Sequence, residues 1–150
     1  MGGRVVVGVD GSDTAMKAVH WAAREAKLRG SKLELVSAWE IPVYGFAYDQ
    51  GYAAMSEDML KGLVENAEEY LAAAVTEARS EGLDLEIETT TMEGQAANVL
   101  LEVSKGADLL VVGSRGLGGF RELVLGSVSQ QCAQHAACPV VIVRHLDETA

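Results

Sequence analysis

Five short runs rich in valine, leucine and isoleucine punctuate the 150-residue chain, and apolar residues at helical spacing fill most of the intervals between them. The runs are Arg4–Asp10, Lys32–Trp39, Leu83–Met92, Asp108–Gly113 and Pro139–Arg144. Val5-Val6-Val7 and Leu109-Leu110-Val111-Val112 are apolar without alternation, the pattern of strands buried on both faces. Strands that alternate with helices fold as an α/β domain, here an open five-stranded parallel sheet with helices on both faces. Pro139 fits as a first strand residue. The threonines and glutamates of 83–92 suit a sheet edge.

The intervening segments carry their own start and stop signals. Ser12 or Asp13 caps a helix whose apolar positions are Ala15, Ala18, Val19, Ala22, Ala23 and Ala26, and Gly30 ends it. Ser56 caps a long helix with the stripe Leu60, Leu63, Val64, Ala67, Tyr70, Leu71, Ala74, Val75 and Ala78, and Gly82 stops it. Gln95 to Lys105 forms a short helix closed by Gly106, and Gly126 or Ser127 opens the last one. Residues 40–54, with Pro42, Gly45 and Gly51, read as an irregular loop.

Length and charge narrow the function classes. A chain of 150 residues fits one domain spanning 1–150. No apolar run approaches the ~20 residues of a membrane span, and no signal peptide is expected. The two cysteines, Cys132 and Cys138, do not form a disulfide framework, so a cytoplasmic protein with free thiols is expected. The net charge of −10 argues against nucleic acid or an anionic membrane as partner. Acidity concentrates in residues 55–90, which hold ten acids and two bases. The segment 113–128 holds Arg115 and Arg121 against Glu122.

That segment, Gly-Ser-Arg-Gly-Leu-Gly-Gly-Phe-Arg-Glu-Leu-Val-Leu-Gly-Ser-Val, raises the functional question. Its glycines supply unusual torsions or let a ligand approach the backbone. It is not a Walker A loop, since no Gly-Lys-Ser/Thr occurs, and G-x-G-x-x-G is absent after the first strand. The pattern present is Gly113-x2-Gly116-x9-Gly126-Ser127. In a parallel sheet a ligand sits beyond the carboxyl ends of the strands, where strand order reverses. If the first and fourth strands are neighbours, that crevice receives Gly8-Val9-Asp10-Gly11-Ser12 from one side and Gly113-Ser114-Arg115-Gly116 from the other. Bare amides and a helix N-terminus at Ser127 suit an anion, and Arg115 adds a permanent charge.

The spaced glycines resemble the nucleotide motif of the universal stress protein family. Val-Gly-Val-Asp-Gly-Ser, Ala-Asp-Leu-Leu-Val-Val-Gly-Ser-Arg-Gly, Leu-Gly-Ser-Val-Ser and Cys-Pro-Val-Val-Ile-Val are also similar to family segments, and the likeness covers almost the whole chain. The resemblance implies an adenine-nucleotide α-hydrolase-like, Rossmann-like sheet of order 3-2-1-4-5. It also implies the ATP-binding subgroup, with ATP and Mg or Mn as cofactor. Carried over by position, Gly113, Arg115 and Gly116 lie along ribose and phosphates, while Gly126, Ser127 and Val128 receive the phosphate tail. Asp10, with Gly8 and Val9 beside it, sits near the ribose and any nucleotide-bound metal, and no metal is held by the protein alone. Ala38 borders the adenine, with Trp39 as the competing position. A homodimer is implied through the terminal strand Val140–Val143, against a central buried strand in a monomer. A regulatory protein partner, unidentified, is implied as well.

Plainer roles stand beside these. Ser127-x-x-Gln130 is also a capping box. Asp10 also suits an Asx-turn, and Arg115 a solvated loop charge. Gly118 and Gly119 read as turn or mobility residues. Cys132, His135 and Cys138 have a metal-like spacing, but they drift around a helix and lack a fourth ligand. No nucleophile–base pair or G-x-S-x-G elbow is visible, so no catalytic residue is assigned. The expected activity is nucleotide-dependent regulation in stress response. The alternatives are a slow ATPase or phosphoryl-transfer enzyme, and a nucleotide-independent dimeric interaction or chaperone-like protein.

Overall fold

The computed structural model describes residues 2–41, 57–115 and 125–144. Along the chain run β1 (Arg4–Gly8), α1 (Asp13–Arg29), β2 (Lys32–Trp39), α2 (Glu57–Ala78), β3 (Ile87–Glu93), α3 (Ala96–Val103), β4 (Leu109–Gly113), α4 (Ser127–His135) and β5 (Val140–Val143). The strands form one sheet of order β3-β2-β1-β4-β5. Every neighbouring pair is parallel, as the alternation of elements requires.

Alternate residues of each strand feed two cores. Val5, Val7, Val9, Leu33, Leu35, Leu109 and Val111 meet α1 and α2 on one face. Val6, Val36, Leu110 and Val112 meet α3 and α4 on the other. Val5, Val6 and Val7 have no exposed surface, and each such side chain contributes about 1.5–3 kcal/mol. Helix α1 fits close to the sheet because its inner face is largely alanine: Ala15, Ala18, Ala22, Ala23 and Ala26 are all buried.

The element ends follow local chemistry. Ser12 caps α1, its Oγ accepting from the Ala15 N–H at 3.1 Å, and Gly30 ends the helix in the left-handed region. β3 begins at Ile87 rather than at Leu83. The carbonyls of Asp84 and Leu85 are taken by Lys27 Nζ and Arg79, so those residues turn away from strand pairing. β3 is an edge strand, as its composition suggests. The strand register of β1 ends at Gly8, although the Val9 N–H still donates to the Val36 carbonyl at 2.8 Å. Ser56, read as the cap of α2, lies outside the described residues.

A polar knot ties the amino ends of the strands. The Arg4 guanidinium donates to Glu34 Oε1 at 2.8 Å and to the Val103 and Lys105 carbonyls at 2.7 and 2.8 Å. Thr90 Oγ1 donates to Glu34 Oε2 at 2.8 Å. Glu34 is buried, so the network supplies the partners that a carboxylate removed from water needs. The knot fixes the end of the sheet remote from the crevice.

Candidate functional site

The crevice lies where the strand order reverses, between the carboxyl ends of β1 and β4. β1 delivers Asp10-Gly11-Ser12. The Ser12 N–H and Oγ–H both donate to Asp10 Oδ1, at 2.9 and 2.6 Å. This is the Asx-turn that the sequence allows, and it passes directly into the α1 cap. Gly11 makes it possible: its φ is +84°, and a Cβ there would meet the Tyr70 ring at 2.6 Å. Both bonds land on one carboxylate oxygen. No hydrogen bond found among the described residues reaches Asp10 Oδ2. Asp10 is half-buried and stands two residues past the carboxyl end of β1.

β4 delivers Gly113-Ser114-Arg115. The buried Ser114 donates its N–H to the Val143 carbonyl at 2.9 Å, in line with the ladder to β5. Its carbonyl accepts from the Gly126 N–H at 2.7 Å. The buried Ser129 hydroxyl lies 3.1 Å from that same carbonyl and 3.0 Å from the Gly126 carbonyl. One carbonyl therefore clasps both ends of the glycine-rich segment and sets the start of α4 beside the end of β4. Ser129 was not among the sequence candidates. Its signal is the second serine of Gly-Ser-Val-Ser, at the third helical position.

Helix α4 begins without a side-chain cap. Gly126 is its N-cap, with φ −76° and ψ 171°, so Ser127 is the first helical residue rather than the cap. The capping box does not form: the Gln130 side chain donates to the Leu125 carbonyl at 3.2 Å instead. The first intrahelical amide bond is Gln130 N–H to the Gly126 carbonyl, at 3.0 Å. The amides of Ser127, Val128 and Ser129 precede it and have no acceptor within the helix. They carry the positive end of the helix dipole. Ser127 is exposed, and Arg115 is half-buried.

Two of the candidate glycines have a packing reason. A Cβ on Gly113 would lie 2.8 Å from Thr14 Cγ2 and 3.0 Å from the Thr14 carbonyl carbon, in the first turn of α1. A Cβ on Gly8 would lie 2.8 Å from Leu100 Cδ1 in α3. These positions stay bare so that helices can close on the sheet. Val9 turns its side chain into the α1/α2 core, leaving only its backbone for the crevice. Ala38 and Val128 are half-buried on the opposite, α3/α4 side of the sheet. Trp39, the competing base position, is half-buried at the end of β2. Gly116, Gly118 and Gly119 lie outside the described residues.

The remaining sequence candidates fall elsewhere. Cys132 is fully buried on the inner face of α4, Cys138 is half-buried and His135 is exposed, and among the described residues no cluster could hold a metal ion. Burial pushes the Cys132 thiol up to about 11, and Cys138 is raised by the same cause. Both cysteines are free thiols. His20 lies on α1 against the end of α2, with Nδ1 3.4 Å from Glu77 of α2 and Nε2 3.2 Å from Glu81, just beyond it. Among the described residues, no helix is long and apolar enough to cross a membrane.

A five-stranded parallel sheet whose order reverses between β1 and β4, with helices on both faces, defines a Rossmann-like α/β domain. Residues 1–144 match the profile of the universal stress protein family. The chain belongs to that family. It is 36% identical over 142 residues to a universal stress protein of Thermus aquaticus encoded in the QAH/OAS sulfhydrylase 3′ region, covering 93% of this chain and 97% of that protein. It spans about half the length of the Mycobacterium tuberculosis universal stress protein Rv2624c, at 34% identity with 93% of this chain covered and 47% of that protein. Among solved structures it resembles a universal stress protein in complex with cAMP, with TM-score 0.71 and 31% identity over 97% of this chain and 98% of that one. It also resembles the Archaeoglobus fulgidus protein in complex with dAMP, with TM-score 0.65 and 26% identity over 93% of this chain and 96% of that one.

Proposed function

We propose that the crevice binds an adenine nucleotide, ATP with Mg or Mn, and that occupancy makes the protein a nucleotide-dependent regulatory module in stress response. One observation carries the reading: the leading amides of α4 have no acceptor within the helix and, among the described residues, no side-chain cap, while the Ser114 carbonyl clasp holds the helix start beside β4. Amides at a dipole's positive end attract phosphate. Gly113, Arg115, Gly116, Gly126, Ser127 and Val128 line the phosphate path in this reading. Asp10 Oδ2 serves the ribose or the nucleotide-bound metal, and the Gly8 and Val9 backbone and Ala38 border the sugar and base. The related proteins solved with cAMP and dAMP support the adenine class.

The reading extends to assembly and compartment. The Pro139 and Val143 carbonyls accept from Leu110 and Ser114, so the backbone groups of Val140 and Ile142 face outward by strand alternation. All four residues of β5 are only half-buried. An apolar edge of this kind recruits another strand, and a second copy pairing through Val140–Val143 satisfies it. Free thiols suit the cytoplasm.

Mass spectrometry of gently denatured purified protein, with calorimetry of Mg·ATP and AMP binding, tests the reading. A co-purified adenine nucleotide, or saturable one-site binding, is expected. Absence of both removes the proposal. Sedimentation tests the assembly: a dimer that a proline at Ile142 converts to a folded monomer is expected.

A further inference from the structure

We propose that Tyr70 of α2 is a positioning residue of the crevice, its ring fixing the Asp10-Gly11-Ser12 turn that presents Asp10 Oδ2. The inference deepens the nucleotide reading and rests on it for its effect on affinity. Three ring carbons of Tyr70 lie 2.6–3.0 Å from where a Gly11 Cβ would stand, so the ring is seated flush on the bare Cα. The Asx-turn itself holds by two bonds to one oxygen, at 2.9 and 2.6 Å. Those bonds set the distance between Asp10 and Ser12 but leave Gly11, exposed and at φ +84°, free to swing on its outer side. Glycine loses more conformational freedom on ordering than any other residue, so a wall there matters. Tyr70 supplies it from another element.

The ring is well placed to act as a fixed wall. Tyr70 is half-buried and packs against the core cluster that contains Val9, Val19, Leu71 and Ala74. Helix α2 is held against α1 about two turns further along and just past its end, where His20 sits between Glu77 and Glu81 and Arg24 approaches Glu81 at 3.6 Å. The chain from the α1–α2 clamp through Tyr70 to Gly11 ends on the carboxylate at the crevice mouth. A displacement of α2 is thereby transmitted to Asp10, which gives the helix a route to regulate nucleotide affinity.

Two measurements on Tyr70→Ala, Tyr70→Phe and Val75→Ala test this, the last being a control that trims another half-buried α2 residue of the same core. Amide hydrogen exchange by NMR reads the turn directly. In Tyr70→Ala the Ser12 and Ala15 amides should exchange at least about tenfold faster relative to those of Ala22 and Ala23. Tyr70→Phe and Val75→Ala should keep the wild-type ratio. Calorimetry with AMP reads the consequence: Kd should rise about tenfold in Tyr70→Ala and stay within about twofold in the other two. Unchanged exchange in Tyr70→Ala overturns the inference, as does an equal change in Val75→Ala. If wild-type protein binds no AMP, the nucleotide reading fails while the exchange result still decides whether Tyr70 holds the turn.

Discussion

Replacing Gly113 with alanine separates packing from ligand approach at the end of β4. The new Cβ would stand 2.8 Å from Thr14 Cγ2, 3.0 Å from the Thr14 carbonyl carbon and 3.1 Å from its oxygen. Two of these three atoms are backbone in the first turn of α1, which Ser12 caps and which leads back to Asp10. The clash cannot be relieved by rotating a side chain alone. Overpacking of this kind costs about 1–3 kcal/mol. The reduced freedom of the unfolded chain returns about 0.4–1 kcal/mol. The net loss is then about 1–2 kcal/mol, and with a urea m-value of about 2 kcal/mol/M the midpoint falls by about 0.5–1 M. Gly8→Ala is the internal comparison. Its Cβ meets Leu100 Cδ1 at 2.8 Å, the far end of a flexible side chain, so its midpoint should move less. Equilibrium urea unfolding followed by circular dichroism at constant m gives both values. A Gly113→Ala midpoint at or above wild type, or a larger loss in Gly8→Ala, refutes the reasoning.

Gly62→Ala should act in the opposite direction, because it lies inside α2 and its Cβ would meet no atom of the described residues within 4 Å beyond the helix's own nearby backbone; a gain of about 0.5–1 kcal/mol is expected in the same urea assay. The Cys132 thiol is held at about 11 against an ordinary 9.0, so the fold keeps its proton longer than the unfolded chain does. Its contribution to stability is full below about pH 9 and is lost as pH rises toward 11; Cys132→Ala should flatten that alkaline decline, and an unchanged slope would count against burial as its source. Gly126→Val should leave the fold intact, since φ −76° and ψ 171° suit any residue, yet abolish nucleotide binding in calorimetry. Ser127→Ala should weaken binding less, because the three leading amides of α4 remain; a loss equal to that of Gly126→Val would assign the affinity to the hydroxyl instead.

The architecture was legible because each strand is short, apolar and separated from the next by helix-period residues. Strand order 3-2-1-4-5 came with the family resemblance, and the paired registers agree with it. Boundaries were less legible. Leu83 and Leu85 carry a strand-like pattern, but their apolar side chains fill the core from outside the ladder while nearby carbonyls serve Lys27 and Arg79. A one-dimensional pattern records burial and not which partner takes a carbonyl. The same limit applies at the crevice. Bare Gly8 and Gly113 signal a close approach, yet the approaching groups in this fold are Leu100 and Thr14. Asp10 suits both a turn and a ligand in the sequence, and the structure shows the turn: both Ser12 bonds close on Oδ1. The pattern marks Tyr70 only as a stripe residue and does not mark Ser129, because their partners, Gly11 and Ser114, are far along the chain and meet them through backbone atoms.

The clasp at the Ser114 carbonyl has a consequence for how such a domain can be altered. With the Gly126 amide and the Ser129 hydroxyl both anchored there, the exit from β4 and the entry to α4 share one peg. Changes of sequence between Ser114 and Gly126 then leave the sheet and the last helix their common anchor. Natural divergence and deliberate grafting then have the same foothold: a frame that stays fastened on either side of a variable stretch of sequence.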